Sequence, residues 1–407
     1  MLHGISSILN ILFLNDQESP LKNKKTGNLT QKNIQQQQQQ FGQEEVWVKA
    51  LIGDIGGTNC RLALIQFTKT SNSFQTIKRE NYKNANYNSF EQCLEVFLSD
   101  ISQENYPTMA KLGIAGAVFN NRVNISNIPH WPEVIGNDLS IKFKINSFKL
   151  YNDFEIASYG VVKLDEDADL IQVNGVKRDI TKPMAVMGAG TGLGIAFVGT
   201  ENQETKDGFY KTSYNVYPGE GGHASFPQVT EQQQRYYNFL KTKYPQKGNQ
   251  IGLEYGLVGP AIPYMYEFIK NEYPELAQQN NIEKQVPIER FENFKDFPRF
   301  EVFQYGSQRK CVLSQKVVDF FIELYEQTIG DIILRTLCYG GLYLCGNITI
   351  SIAQYILENK QNFLKDYIEH RGYLKSVFDK IPIYIVRKED IGLDGAFAVA
   401  QQDFRSQ

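Results

Sequence analysis

The sequence predicts an α/β protein made of two related halves with a cleft between them. Three observations carry that reading. A strand–glycine turn–strand unit at Trp47 to Phe67 is repeated at Met184 to Val198. Apolar runs of strand character alternate with segments whose apolar residues recur at helical spacing. The chain has 407 residues, enough for two or three domains and the core they require. Repetition of one supersecondary unit implies two related halves, and a binding site falls in the cleft between such halves.

The elements follow in order. Trp47 to Ile52 is a short apolar run that meets Gly53-Asp54-Ile55-Gly56-Gly57, and Arg61 to Phe67 alternates, so the pair reads as a hairpin. Ser73 to Asn81 is a third run that can pair beside it. Ser89 to Ser99 carries Phe90, Leu94, Phe97 and Leu98 at helical spacing, with Ser89 in the N-cap place. Lys111 to Val118 reads as a buried strand, and Lys149 to Phe154 as another that ends at Asn152-Asp153. The first half is thus β-β-β-α-β-α-β. The second opens at Lys182, with a strand at Met184 to Met187, a glycine turn, and a strand at Ile195 to Val198. Helical segments follow at Thr230 to Leu240, Pro260 to Lys270 and Gln315 to Thr336. Gly340 to Ile348 reads as a strand into a glycine turn, Ile381 to Val386 as a strand, and Gly395 to Ala400 as an apolar segment.

Residues 1–45 stand apart. Gly4 to Leu14 is apolar but interrupted by Ser6, Ser7 and Asn10, and it lacks the basic start of a secretory signal. Asp16 to Glu45 is polar, with a glutamine run from Gln35 to Gln40. Such a tract cannot bury enough apolar area to offset backbone ordering, so a disordered extension is expected. In the whole chain 42 basic residues stand against 45 acidic ones, which excludes a dedicated nucleic-acid binder. An apolar content of 42% excludes a disordered chain. No run approaches the roughly 18 apolar residues of a transmembrane helix. Cys60, Cys93, Cys311, Cys338 and Cys345 are widely spread and form no CxxC pair, which reads as a reduced cytoplasmic protein without a zinc module.

Five motifs carry chemistry. In Asp54-Ile55-Gly56-Gly57-Thr58-Asn59, adjacent glycines let backbone N–H groups approach a phosphate, Thr58 adds a hydroxyl, and Asp54 could hold a hydrated Mg²⁺. A plain tight turn has the same pattern. Gly188-Ala189-Gly190-Thr191-Gly192-Leu193-Gly194 has more glycine than a hairpin requires; no helix follows and no Walker lysine is present, so a phosphate-cradling hairpin fits best. Asn152-Asp153 offers a carboxylate at a strand's carboxyl end, able to take a proton from a hydroxyl nucleophile, although a helix cap explains the same residues locally. Glu220 and His223, three apart across two glycines, can be aimed together at vicinal hydroxyls. The chain's four histidines, at 3, 130, 223 and 370, are too scattered to favour a metal site there. Gly340-Gly341-Leu342-Tyr343-Leu344-Cys345-Gly346-Asn347 places glycines about a short strand, where they can lie under a flat ring such as adenine; a buried strand is the plain alternative.

Together and in this order, these segments resemble the bacterial-type glucokinases of the hexokinase, actin-like superfamily, from about Val46 to Gln402. Leu51 to Arg61 is similar to the first phosphate motif, Tyr151 to Phe154 to the strand bearing the catalytic aspartate, and Gly188 to Gly194 to the second phosphate motif. Glu220-Gly221-Gly222-His223 is similar to the sugar-binding element, and Glu254, shortly before Gly259-Pro260, to a further sugar-binding glutamate. Asn127, before His130-Trp131, resembles the family's sugar-side asparagine; Gly340 to Asn347 resembles the adenosine segment, and Gly392 to Ala396 a C-terminal glycine-alanine helix start. Val258, Ala261, Ser225 and Asn347 depart from the residues usual at their places.

The resemblance implies an α/β, two-lobed actin-like (ribonuclease H-like) fold, with mixed sheets flanked by helices and a central cleft. The small lobe would be residues 46–160 completed by about 387–405, and the large lobe 161–386. It implies an ATP-dependent glucokinase at the first step of glycolysis, with Asp153 as catalytic base. Asn127, Asn152, Asp153, Glu220, His223 and Glu254 would bind the sugar. Asp54, Gly56, Gly57, Thr58, Asn59, Gly188, Gly190, Thr191, Gly192 and Gly346 would bind the nucleotide, with Mg²⁺ held through water at Asp54. Partners would be glucose and ATP, with no nucleic acid or membrane, in a homodimer. The alternatives are a kinase for another hexose or N-acetylated hexosamine, one that uses ADP or polyphosphate, and a catalytically weak sugar sensor. Asp153 together with both glycine hairpins argues against the sensor, which needs none of that machinery.

Overall fold

The computed structural model describes residues 46–71, 73–125, 128–204, 210–278, 286, 290, 296–369, 371–388 and 390–406. The expectations for residues 1–45 and for Asn127 lie outside them. The first half is a five-stranded sheet. Strands β1 (Trp47–Ile55), β2 (Asn59–Thr68) and β3 (Gln75–Lys83) form an antiparallel meander, with Asp54 opposite Arg61 across the first turn. Helix α1 (Phe90–Leu98) starts at Ser89, whose hydroxyl accepts the N–H of Gln92, as the sequence predicts. β4 (Met109–Ile114) then lies parallel to β1. Helix α2 (Gly136–Phe143) crosses over to β5 (Ser147–Asn152), parallel to β4. Every residue of β4 is buried, so it reads as a continuous run and not as an alternation.

The second half repeats the pattern. β6 (Met184–Ala189), β7 (Leu193–Glu204) and β8 (Tyr210–Gly219) form the meander; β9 (Gly341–Cys345) lies parallel to β6, and β10 (Ile383–Val386) parallel to β9. A short strand, Leu170–Gln172, covers the outer edge of β10. Both sheets therefore run third–second–first–fourth–fifth strand, with a glycine turn between first and second. Helices α4 (Glu231–Lys243), α5 (Ile262–Glu272), α6 (Arg299–Ser307) and α7 (Val312–Thr336) enlarge the second half and enclose an aromatic-rich core that includes Tyr236, Phe268, Phe320 and Phe321. β8 is absent from the elements expected of the sequence, although Tyr210, Thr212, Tyr214 and Val216 alternate with polar residues as an edge strand does. The run Gly340 to Ile348 stops being strand at Cys345: Gly346 takes φ +97°, and helix α8 (Asn347–Glu358) begins behind it. The run Lys149 to Phe154 likewise ends at Asn152, because helix α3 (Asp153–Val161) starts there.

Two helices join the halves. The apolar segment Gly395 to Ala400 is the middle of α9 (Ile391–Ser406), which packs on the first sheet through Ala396, Phe397 and Ala400 against Ala50, Ile52 and Phe67. Lys111, wholly buried on β4, pairs with Asp403 of α9 and donates to Ser147 Oγ at 3.0 Å, which fastens the helix to that sheet. α3 lies between: Ile156 belongs to the same core as α9, while Val161 packs with Met184, Val186 and Ala196 of the second sheet. α3 and α9 touch backbone to backbone, since a Cβ on Gly395 would sit 1.6 Å from the Ile156 carbonyl oxygen, and one on Gly160 2.4 Å from that of Ile391. Among the described residues no helix is long and apolar enough to cross a membrane.

Candidate active site

Parallel pairing sets the first part of the site. β1, β4 and β5 run the same way, in a register that matches Asp54 with Gly113 and Ile114 with Asn152. Asp54 and Asp153 therefore stand at the carboxyl ends of their strands, the edge where open α/β sheets bind ligands. Asn152 caps α3: its Oδ1 accepts the N–H groups of Phe154 at 2.9 Å and Glu155 at 3.0 Å, and Glu155 accepts the Asn152 N–H in return at 3.3 Å. Its Nδ2 donates to Gly116 O at 2.9 Å. The local choice between cap and acid–base group is thus divided between neighbours. Asn152 makes the cap, and Asp153 is the first helical residue, with its carboxylate at the positive end of the helix.

Asp153 is pushed up to about 6, first by burial, then by the charge of Asp54 and to a lesser degree that of Glu220, while N–H contacts at the helix start pull the other way. Burial also raises Asp54, against the pull of Arg61, whose Nη1 lies 2.9 Å from its Oδ2. The two acids thus lie close enough for the charge of one to raise the other, and the more exposed Glu220 acts more weakly on Asp153.

The glycine turns face this space. In the first, Gly56 N–H donates to Asn59 O at 3.0 Å and Thr58 is exposed at the tip. In the second, Gly190 N–H donates to Gly192 O at 3.0 Å, with Thr191 and Gly192 exposed. The surplus glycine noted in the sequence has two separate causes. Cβ atoms on Gly188 and Gly194 would each lie 2.5 Å from the Phe154 ring, whereas one on Gly190 would meet nothing within 4 Å. Two of the glycines admit Phe154, and the other two line an open turn. Because Phe154 follows Asp153, this contact locks the second turn to the carboxylate.

The third part is a cluster of Glu220, His223 and Glu254. The chain leaves β8 into a single 3₁₀ turn, Gly221–His223, and Glu254 lies on another, Leu253–Tyr255, tied to the first by Leu253 N–H donating to Ala224 O at 2.8 Å. His223 Nδ1 is 3.1 Å from Glu254 Oε1, and its Nε2 is 3.8 Å from Glu220 Oε2. Glu254 also reaches the second turn, where a Cβ on Gly192 would be 3.7 Å from its Oε2. Gly259 N–H donates to Gly190 O at 2.8 Å, and Arg299 Nε to Gly259 O at 2.9 Å, so Arg299 braces that turn from outside. Arg299 lies in no motif, and its role is not visible in the sequence. Gly346, at the start of α8, presses on Ala189, with a Cβ there only 2.3 Å from the Ala189 oxygen. Of the candidate site residues, Asn127 alone lies outside the described ones; Trp131, four positions on in the sequence, is buried and donates to Tyr87 O at 2.8 Å.

A family model described as Glucokinase matches residues 51–403. This chain belongs to the glucokinase family. It is similar to the glucokinase of Nostoc sp., with 30% identity over 353 residues that cover 85% of this chain and 97% of the other. Among solved structures it is similar to a glucokinase from an Antarctic psychrotroph, with TM-score 0.66 and 23% identity over 87% of this chain and 99% of that one. It is also similar to the glucokinase of Balamuthia mandrillaris in complex with glucose, with TM-score 0.65 and 18% identity over 93% and 100% of the two chains. The fold is accordingly the two-lobed actin-like one, and the chain is a sugar kinase. Among the described residues no group of three or more His, Cys, Asp or Glu gathers to hold a metal ion. Mg²⁺ brought in on phosphates needs only one or two carboxylates, and Asp54, at the carboxyl end of β1, is a donor of the kind that fits it.

Proposed function

We propose that the chain transfers the γ-phosphoryl group of ATP to the 6-hydroxyl of glucose, which yields glucose 6-phosphate and ADP and feeds glycolysis. The observation that carries this reading is a carboxyl raised to about 6, Asp153, beside two glycine turns and a Glu–His–Glu cluster. Such a group is ionised at neutral pH yet basic enough to take a hydroxyl proton. Asp153 accepts the proton of the sugar 6-hydroxyl as that oxygen bonds to the γ-phosphorus; the bond from that phosphorus to the β,γ-bridging oxygen breaks, and ADP leaves. Phosphoryl transfer through a loose transition state asks for positioning and charge stabilisation. N–H groups of the turns at Gly56–Asn59 and Gly188–Gly192 supply these, with Gly346 at the nucleoside side. Mg²⁺ bound with ATP near Asp54 would offset phosphate charge.

Glu220, His223 and Glu254, with the remaining N–H of Asn152 and with Asn127, hold the sugar hydroxyls. A site built around specific hydroxyls rejects analogues that lack them, because its polar groups are left unpaired. A groove of about 600 Å³ between α6 and α8, lined by Phe300, Gln304, Ile350, Ser351 and Gln354, supports a base-bearing donor over polyphosphate. It opens about one helical turn beyond Gly346, the residue that touches the second glycine turn. The five free cysteines are all buried, which supports action in the reducing cytoplasm. A coupled assay that scans hexoses against ATP, ADP and polyphosphate tests the proposal. Glucose with ATP is expected to give the highest kcat/KM, and absence of transfer to any hexose would sink it.

A further inference from the structure

The first glycine turn is held from behind by a residue that belongs to no motif. Asn84 follows β3 directly and is 2% exposed. Its backbone N–H donates to Thr58 O at 3.0 Å, and its Nδ2 donates to Gly56 O at 2.8 Å. The carbonyl of Gly56 can only accept, so this contact fixes which end of the side-chain amide is nitrogen. Within a trans peptide, C=O and N–H point in opposite directions. Drawing the carbonyls of Gly56 and Thr58 toward Asn84 therefore turns the N–H groups of Gly57 and Asn59 away from it. Those two N–H groups belong to the turn assigned above to the phosphates.

The other end of the amide gives a second observation. Asn84 Oδ1 is buried and has no hydrogen-bond partner among the described residues. Burial of an unpaired oxygen costs free energy and offsets what the bond to Gly56 O contributes, so the amide adds little net stability. What an apolar side chain lacks is the donor to Gly56.

We propose that Asn84 is a positioning residue for the phosphoryl donor. It touches neither substrate; it sets the direction of the N–H groups in the first glycine turn and so the affinity for the polyphosphate of ATP. The inference rests on the reading of the 54–59 turn as a phosphate site.

Steady-state kinetics on the full chain test it with Asn84→Leu, which keeps the shape without the donor, and Asn84→Asp, which puts an acceptor against Gly56 O. The KM for ATP is expected to rise on the order of tenfold, more for Asn84→Asp, as one directed hydrogen bond is lost. The KM for glucose should stay within about twofold of wild type, and the melting temperature of Asn84→Leu should change little, because the donor lost to Gly56 O is offset by removal of the unpaired Oδ1. Should leucine not fit, Asn84→Ala reads the same ratio. Folded variants with wild-type KM for ATP would overturn the inference. So would KM values for ATP and glucose that rise together with a lowered melting temperature, since that is the pattern of a merely structural side chain. If the wild type transfers nothing, the phosphate-site reading fails first; calorimetric titration of wild type and variant with MgADP then separates the two, because equal binding refutes the role of Asn84 on its own.

Discussion

At Asp153 burial and neighbouring negative charge act in the same direction, and the consequence is measurable. The group must be ionised to take a proton, so kcat/KM should rise with pH through a midpoint near the folded value of about 6 and level off above it. The stability linkage runs the opposite way. The folded pKa lies above the ordinary 3.8, so between 3.8 and about 6 the folded state holds more proton than the unfolded one, and stability contributed by this group is lost as pH rises through that window. Asp153→Asn should therefore lower kcat by roughly 10²–10⁴-fold while it raises the melting temperature at pH 7.5. Near-normal turnover in that variant would remove Asp153 as the base. Glu254 makes a different prediction, because it touches both His223 and the second turn. Glu254→Gln keeps the shape but not the charge, and it should raise the KM for glucose by about 10- to 100-fold, with a smaller change for ATP. Initial-rate measurements that vary each substrate in turn would show an equal effect on both if Glu254 were only a brace.

Among the elements, the junction of α3 with the second glycine turn sets the geometry of the cleft. Phe154 packs onto Gly188 and Gly194, and its predecessor is the proposed base. A methyl group at position 188 would meet the ring at 2.5 Å, closer than any relaxed contact. Gly188→Ala should cost about 1–3 kcal/mol in urea unfolding and shift Asp153 enough to lower kcat. Pairing it with Phe154→Leu, which makes room, should restore part of both. A double mutant that is merely additive would show that the ring and the turn are not coupled.

For the molecule as a whole, α3 and α9 are the shared spine of the two halves. Their backbones meet at Gly160 and Gly395, where no side chain larger than hydrogen fits. Gly395→Ala would place a carbon 1.6 Å from the Ile156 oxygen, so the helices must separate. A loss of about 3 kcal/mol or more is expected, read by thermal or urea unfolding, together with weaker glucose binding. Unchanged stability would mean that the helices can slide apart without disturbing either sheet.

The sequence by itself determined the repeated strand–glycine–strand unit and the order of elements in the first half; in the second half it left out β8, α6 and α8. Alternation and apolar runs are local properties that a chain shows before it folds, as at Trp47 to Phe67 and Met184 to Val198. It also marked Asp54, Glu220 and His223 beside glycines and Asp153 at the end of an apolar strand, whereas Glu254 was marked only by the family resemblance. Tertiary structure decided the rest. Whether Asn152 or Asp153 is the cap follows from which side chain reaches the N–H of Glu155, since both accept the N–H of Phe154. That two of the glycines in the second turn serve Phe154 could not be read from their spacing, since the ring comes from another element. Arg299 and Asn84 carry no local signal, because each acts on a carbonyl far away in the chain, at Gly259 and Gly56. The raised pKa of Asp153 is likewise a product of folding. Burial and the approach of Asp54 cause it, and both exist only after parallel pairing brings the ends of β1 and β5 to one edge of the sheet.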